Sequence, residues 1–298
     1  MKTLRLLGRA LPAAFALIAS AAAHAADYDQ AAWFKWRAET EGYYSAGRFA
    51  VLKASDARYL KPGESVYLSK KADGSLHLSM EASSGDVLSV AYDGEAAEVS
   101  RDGEASDFST YLKDDAGYPV SDRYELGGGP TQLKPGVDGY RVILFDQDSP
   151  EAKAYRGSAW FDFNKNFVFD AAFTPAKKME ERVIQTERGL WRQFFLAGHA
   201  RVQIDGKDVD LPLYARSNDP AKITYLFVSF TDETSGYETY GVGRYLDFTD
   251  IGAFPPKRLT VDFNRAYNPY CARSPHYNCP LALAHVPVRL TVGEKAPH

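Results

Sequence analysis

Two cysteines and a run of polar and aromatic residues stand closest to chemistry in this chain. Cys271 and Cys279 fall inside Asp262–Leu281, DFNRAYNPYCARSPHYNCPL. Asp262, Asn264, Arg265, Asn268 and Asn278 alternate there with Tyr267, Tyr270 and Tyr277, and Pro269, Pro275 and Pro280 stiffen the segment. Asp262 could serve as a general base, and Cys271 as a nucleophile with His276 as its base. In an exported chain a pair of cysteines points first to a loop-closing Cys271–Cys279 disulfide, by the chain-entropy account worth roughly 2–3 kcal/mol. Cys271, His276, Cys279 and His285 could offer two sulfurs and two nitrogens to zinc, but Cys-x4-His-x2-Cys-x5-His is not an established zinc spacing. We therefore expect no metal and no cofactor.

A second polar set lies just upstream in TDETSGYETYGVGRYLD, residues 231–247. Alternation along a strand over Tyr237–Phe248 sets Thr239, Gly241, Gly243 and Tyr245 on one face and Arg244 on the other. Glycines there let a backbone or a flat ligand approach, and Arg244 could grip a carboxylate or another anion. In a strand over Arg258–Phe263, Phe263 faces the core while Asp262 and Asn264 share the opposite face. Arg265 is long enough to reach Asp247 or Asp262. The expected ligand-binding set is Arg244, Asp262, Asn264, Arg265, Tyr267 and Asn268. The opposing reading is a hydrogen-bonded network that only pins the loop. Asp232-Glu233 and Asp247-Asp250 are carboxylate pairs of the kind that glycoside hydrolysis or calcium binding uses, a pattern common in acidic chains. No nucleophile elbow, zinc-protease helix, phosphate loop or dinucleotide fingerprint is present. Gly127-Gly128-Gly129-Pro130 lacks the Lys-Ser/Thr of a phosphate cradle and is expected as a loop or strand crossover.

The elements that must carry these residues are mostly strands. Asp29–Ser45 has aromatic residues at three- and four-residue steps and predicts a short helix docked by its aromatic side. Beyond Val51 the period becomes two. Val66–Lys71 and Ser75–Met80 flank Asp73-Gly74, which predicts a hairpin with a type I′ turn. Asp-Gly recurs at residues 93–94, 102–103, 138–139 and 205–206. Tyr140–Phe145, Asn166–Phe173, His199–Ile204, Lys222–Phe230 and Val286–Val292 are further strand candidates. The expected class is all-β, mainly an antiparallel sandwich or barrel, with a short N-terminal helix.

The first residues have the form of a secretory signal peptide. Lys2, Arg5 and Arg9 precede an apolar stretch over residues 10–23, and Ala23-His24-Ala25 suits cleavage. The stretch is short for a membrane span, and no cysteine or twin-arginine pair accompanies it. The expected organisation is a signal peptide over residues 1–25 and one β-rich domain over 26–298, periplasmic or secreted, with no integral membrane segment after processing. The whole chain carries a net charge of −4, and the leader holds three of its basic residues. An acidic balance argues against nucleic acid, which requires a basic footprint.

DFNRAYNPYCA…CPL, with GYETYGVGRYLDF upstream, VGEK downstream, WRAE at Trp36–Glu39 and YRG at Tyr155–Gly157, resembles the bacterial domain-of-unknown-function-1684 family of uncharacterised exported or cytosolic proteins. The resemblance implies no activity. Relatives keep the cysteines but not His276 and His285, which weighs against zinc. After CPL the family pattern continues with prolines and a Glu-Asn pair, where this chain has Ala282-Leu283-Ala284-His285-Val286. The functional expectation is an exported protein that binds an unknown small molecule, anionic or sugar-like, near the DFNRAYNP motif. The alternatives are a hydrolase using Asp262 or Cys271 and a structural envelope protein.

Overall fold

The computed structural model describes residues 29–101, 103–113 and 117–297. The segment read as a signal peptide lies outside them, as does Asp102. Helix α1 (Gln30–Ser45) starts where Asp29 accepts the Ala32 N–H at 2.7 Å, an N-cap that satisfies one orphan donor. Strands β1 (Ala54–Leu60), β2 (Glu64–Lys70), β3 (Leu76–Ser79), β4 (Asp86–Tyr92), β5 (Ala97–Arg101) and β6 (Glu104–Asp107) follow. Next come α2 (Phe108–Lys113), β7 (Tyr118–Pro119), β8 (Tyr124–Lys134), β9 (Val137–Asp146) and α3 (Pro150–Ala154). The second half holds β10 (Val168–Pro175), β11 (Glu181–Gln185), β12 (Trp191–Ile204), β13 (Lys207–Ala215), β14 (Leu226–Asp232), β15 (Arg244–Phe248), β16 (Arg258–Asp262) and β17 (Ala284–Val286). The all-β class with one N-terminal helix is as the residue pattern implies. No helix among the described residues is long and apolar enough to cross a membrane.

One twelve-stranded sheet runs β1-β9-β8-β12-β13-β14-β15, with β7 on β8, β10 and β11 on β12, β16 on β10 and β17 on β14 as branches, and a five-stranded sheet runs β3-β2-β4-β5-β6. Leu60, Val66, Leu68, Val90, Leu126 and Val142 fill the space between the small sheet and the β1-β9-β8 part of the large one. A separate core lies under the second half, with Leu211, Val228, Phe230, Val261, Phe263 and Val292 at its centre. A third cluster joins them. Ile143 and Phe145 on the outer face of β9 pack against Cys271, Tyr277 and Cys279.

Several local expectations change in the fold. The β2–β3 hairpin forms, but only Gly74 has positive φ, because five residues connect the strands. A two-residue turn with positive φ at both centres occurs at Asp205-Gly206. Asp138-Gly139 lies inside β9, and the turn falls at Pro135-Gly136. Gly127–Pro130 is neither loop nor crossover but the middle of β8. There Gly127 and Gly128 leave room for the Phe145 and Tyr140 rings. The strand expected over Tyr237–Phe248 shrinks to β15, because residues 233–243 close on themselves through turns anchored at Thr234.

Candidate functional site

The DFNRAYNP segment divides between two surroundings. β16 ends at Asp262, whose Oδ1 accepts the Asn264 N–H at 3.0 Å and caps a 3-10 turn over Phe263–Arg265. The strand therefore stops one residue earlier than its alternation suggests. Asn264 is fully buried. Its side chain bridges Asn164, accepting from the backbone N–H at 2.8 Å and donating to the carbonyl at 3.0 Å. The same amide donates to Asp262 Oδ1 at 2.8 Å, so the two residues do adjoin as the sequence implies. The Trp33 indole N–H donates to the Asn264 carbonyl, which docks α1 on this turn.

Arg244 and Asn268 face inward. Arg244 is 0% exposed and pairs with Asp232 at 2.7 Å. It also donates to the carbonyls of Val292 and Leu290. Every one of these partners is internal, so Arg244 clamps the C-terminal segment onto β14 and β15. Asn268 donates its backbone N–H to Glu294 Oε2 at 2.7 Å and its side-chain amide to the Lys295 carbonyl at 2.7 Å. Glu294, also 0% exposed, pairs with Arg273 and accepts from Tyr44 Oη. Arg273 lies 3.8 Å from the Tyr44 ring centroid and donates to Ser158. Burial pushes the Tyr44 hydroxyl well above its ordinary range. These residues form a closed knot joining α1, the 155–160 loop and both ends of the motif.

Asp262 and Arg265 face the other way, into a cleft of about 270 Å³ between β15, the 249–252 loop and β16. Asp170, Asp247, Asp250, Arg258 and Thr260 join them on its walls. Arg265 Nε stands 3.4 Å from Asp262 Oδ2, an oxygen that is buried and accepts no hydrogen bond. Burial raises the Asp262 carboxyl, against the lowering effects of Asn264 and Arg265. Arg258 holds both Asp170 oxygens at 2.7 Å. Asp247 accepts from Tyr225 Oη at 2.7 Å and Tyr267 Oη at 2.8 Å, and burial raises its carboxyl too. Tyr267 thus reaches the cleft through Asp247. Alternating carboxylates, guanidiniums and hydroxyls can bind a molecule rich in hydroxyl groups, and a proton-sharing carboxyl such as Asp262 can act as a base.

The expected Cys271–Cys279 disulfide is not formed. Both cysteines are free and buried, and Cys279 Sγ instead accepts the Cys271 backbone N–H at 3.3 Å. A hydrogen bond between the two side chains, with burial, raises the Cys271 thiol, and the same side-chain bond, helped by the Cys271 backbone N–H, lowers that of Cys279. His285 sits beside Thr231 and Glu233, and His276 takes its charge influences from Asp56, Arg188 and Arg58. Among the described residues no group of three or more His, Cys, Asp or Glu side chains is placed to hold a metal.

Sequence reasoning did not find Asp170, Arg258 or Thr260, which reach the cleft only through strand pairing of β10 with β16. Nor did it find the roles of Arg273 and Glu294. The Asp247-Asp250 pair was visible and does line the cleft, whereas Asp232 is taken up by Arg244.

No curated protein matches the chain. A solution structure of an uncharacterized protein of Haloarcula marismortui is similar at 27% identity over 49% of this chain and 80% of its own, with a TM-score of 0.40. Residues 153–295 match the family described as "Protein of unknown function (DUF1684)". WRAE at Trp36–Glu39 lies outside the matched region, and YRG, both cysteines, the cleft and most of the buried knot lie inside it. The likeness to that family thus lies in residues 153–295 of the chain.

Proposed function

We propose that the protein binds a small, neutral, polyhydroxylated molecule in the β15–β16 cleft. The observation that carries this reading is the cleft wall itself. Asp262 Oδ2, buried and accepting no hydrogen bond, faces Arg265 at the edge of about 270 Å³ of open volume. Four carboxylates and two guanidiniums line the space, which disfavours an anionic ligand and suits hydroxyls that donate and accept at once. Export to the periplasm or beyond remains part of the proposal and rests on the pattern of residues 1–25.

Saturation-transfer NMR with a panel of pentoses and hexoses at up to ~10 mM, enough to see a millimolar Kd, tests the reading. Transfer to at least one sugar in the native protein, lost in Asp262→Asn and Arg265→Ala, is expected. Transfer to none, or transfer indifferent to both substitutions, overturns it. The raised Asp262 carboxyl favours a second reading, hydrolysis of a glycoside with Asp262 as base. Release of reducing sugar from an aryl glycoside, abolished by Asp262→Asn, would select it.

A further inference from the structure

Three guanidiniums gather on the outer face of the large sheet, in a separate place from the cleft. Arg141 of β9 stands opposite Tyr59 of β1 and Gly129 of β8 in register. Its guanidinium carbon lies 5.6 Å from the Tyr277 ring centroid. Arg192, the second residue of β12, donates to the Gln132 carbonyl of β8 at 3.3 Å. Arg188, exposed in the β11–β12 turn, donates Nε to the Tyr277 carbonyl at 2.9 Å. All three exert a charge effect on the Tyr59 hydroxyl. Among the described residues none of the three has a carboxylate at ion-pair distance, in contrast to Arg123, Arg244, Arg258 and Arg273. Glu187 in the same turn accepts from Tyr240 instead.

The uncharged groups beside them are also unsatisfied. Tyr59 Oη and Asn278 Nδ2 are buried and have no hydrogen-bond partner. Asn278 is 5% exposed, and its Oδ1 accepts the Arg188 backbone N–H. Space is present too, since a Cβ placed on Gly129 would meet nothing within 4 Å. Burial and the charge of Arg141 both act against protonation of Arg192. Like charges held half-buried repel, and an anion between them removes that penalty. Guanidinium forks match the oxygens of a phosphoryl group bidentately.

We propose that Arg141, Arg188 and Arg192, with Tyr59 and Asn278, form a binding site for a phosphoryl group, either free phosphate or a phosphate monoester. The site is independent of the sugar reading, because no residue is shared with the cleft. Its test is calorimetric titration of the full chain with inorganic phosphate and with phenyl phosphate. Saturable binding is expected, weakened roughly tenfold, ~1.4 kcal/mol, in Arg141→Gln. Arg192→Lys keeps the charge, loses the fork and should weaken binding as well. Arg201→Gln, an exposed arginine paired with Asp210 elsewhere, should leave it unchanged. Circular dichroism confirms that each variant is folded. Tighter binding of phenyl phosphate identifies an ester as the natural ligand, and tighter binding of phosphate identifies the free ion. Absence of binding to the native protein at ~10 mM, or equal weakening by Arg201→Gln, overturns the proposal.

Discussion

The buried knot at Glu294 and the cleft at Asp262 use the same residue types within one motif, yet they differ in what surrounds their polar atoms. In the knot, Glu294 meets Arg273, Tyr44 and the Asn268 N–H, and Arg244 meets Asp232 and two carbonyls. In the cleft, Asp262 takes Asn264 on Oδ1 and Arg265 lies over Trp36, but Oδ2 of Asp262 and the Arg265 side chain border an open volume. Charge and aromatic content therefore do not separate a structural cluster from a binding site. Enclosure does, because among the described residues the knot has no open volume beside it, even where Arg244 Nε and Asn268 Oδ1 are left without a hydrogen-bond partner, whereas Asp262 Oδ2 stands at the edge of the cleft.

Four substitutions sharpen this contrast, in descending order of effect. Arg244→Ala leaves Asp232 buried without its partner and should cost ~3–5 kcal/mol in urea denaturation. A loss under ~1 kcal/mol would mean the clamp on residues 290–294 is not structural. Glu294→Gln keeps the shape but removes the charge facing Arg273, and should cost ~1–3 kcal/mol with no change in sugar binding. Asp247→Asn tests the cleft by pH. Burial raises the folded carboxyl above the ordinary 3.8. The fold thus holds this proton more tightly than the unfolded chain, and the associated stability is present below that value and lost as pH rises through the folded pKa. Relative to the native protein, Asp247→Asn should be more stable near neutral pH than near pH ~4, and an equal difference at both would contradict the raised carboxyl. Arg265→Ala, at the edge of the cleft, should change stability by ~1 kcal/mol or less while abolishing saturation transfer.

Much of the fold was legible because its periods are local. The helix signal of Asp29–Ser45 and the alternation of β2, β3 and β9 need only neighbouring residues to be read. Gly127–Pro130 misled because glycines that admit the Phe145 and Tyr140 rings look like a loop until the partner strand is known. The candidate site was half legible. Asp262 and Arg265 stand at the cleft, but Arg244, Asn264 and Asn268 are spent on contacts with residues 290–295 and 164, which no local pattern reveals. Asp170 and Arg258 arrive through the pairing of β10 with β16, a long-range event. The cysteines misled for a different reason. Their count suggests a bridge, whereas both stay free after the bend at Pro269, with Cys279 Sγ accepting the Cys271 N–H.

The most direct measurement is a backbone amide shift map of the isotope-labelled protein during titration with the sugar that shows the strongest saturation transfer. The account predicts shifts confined to residues 246–252 and 258–265, with the amides of Asn268 and of residues 290–294 unmoved. Shifts centred on the Glu294 knot, or none at all, would contradict the assignment of the cleft as the open site and the knot as the closed one.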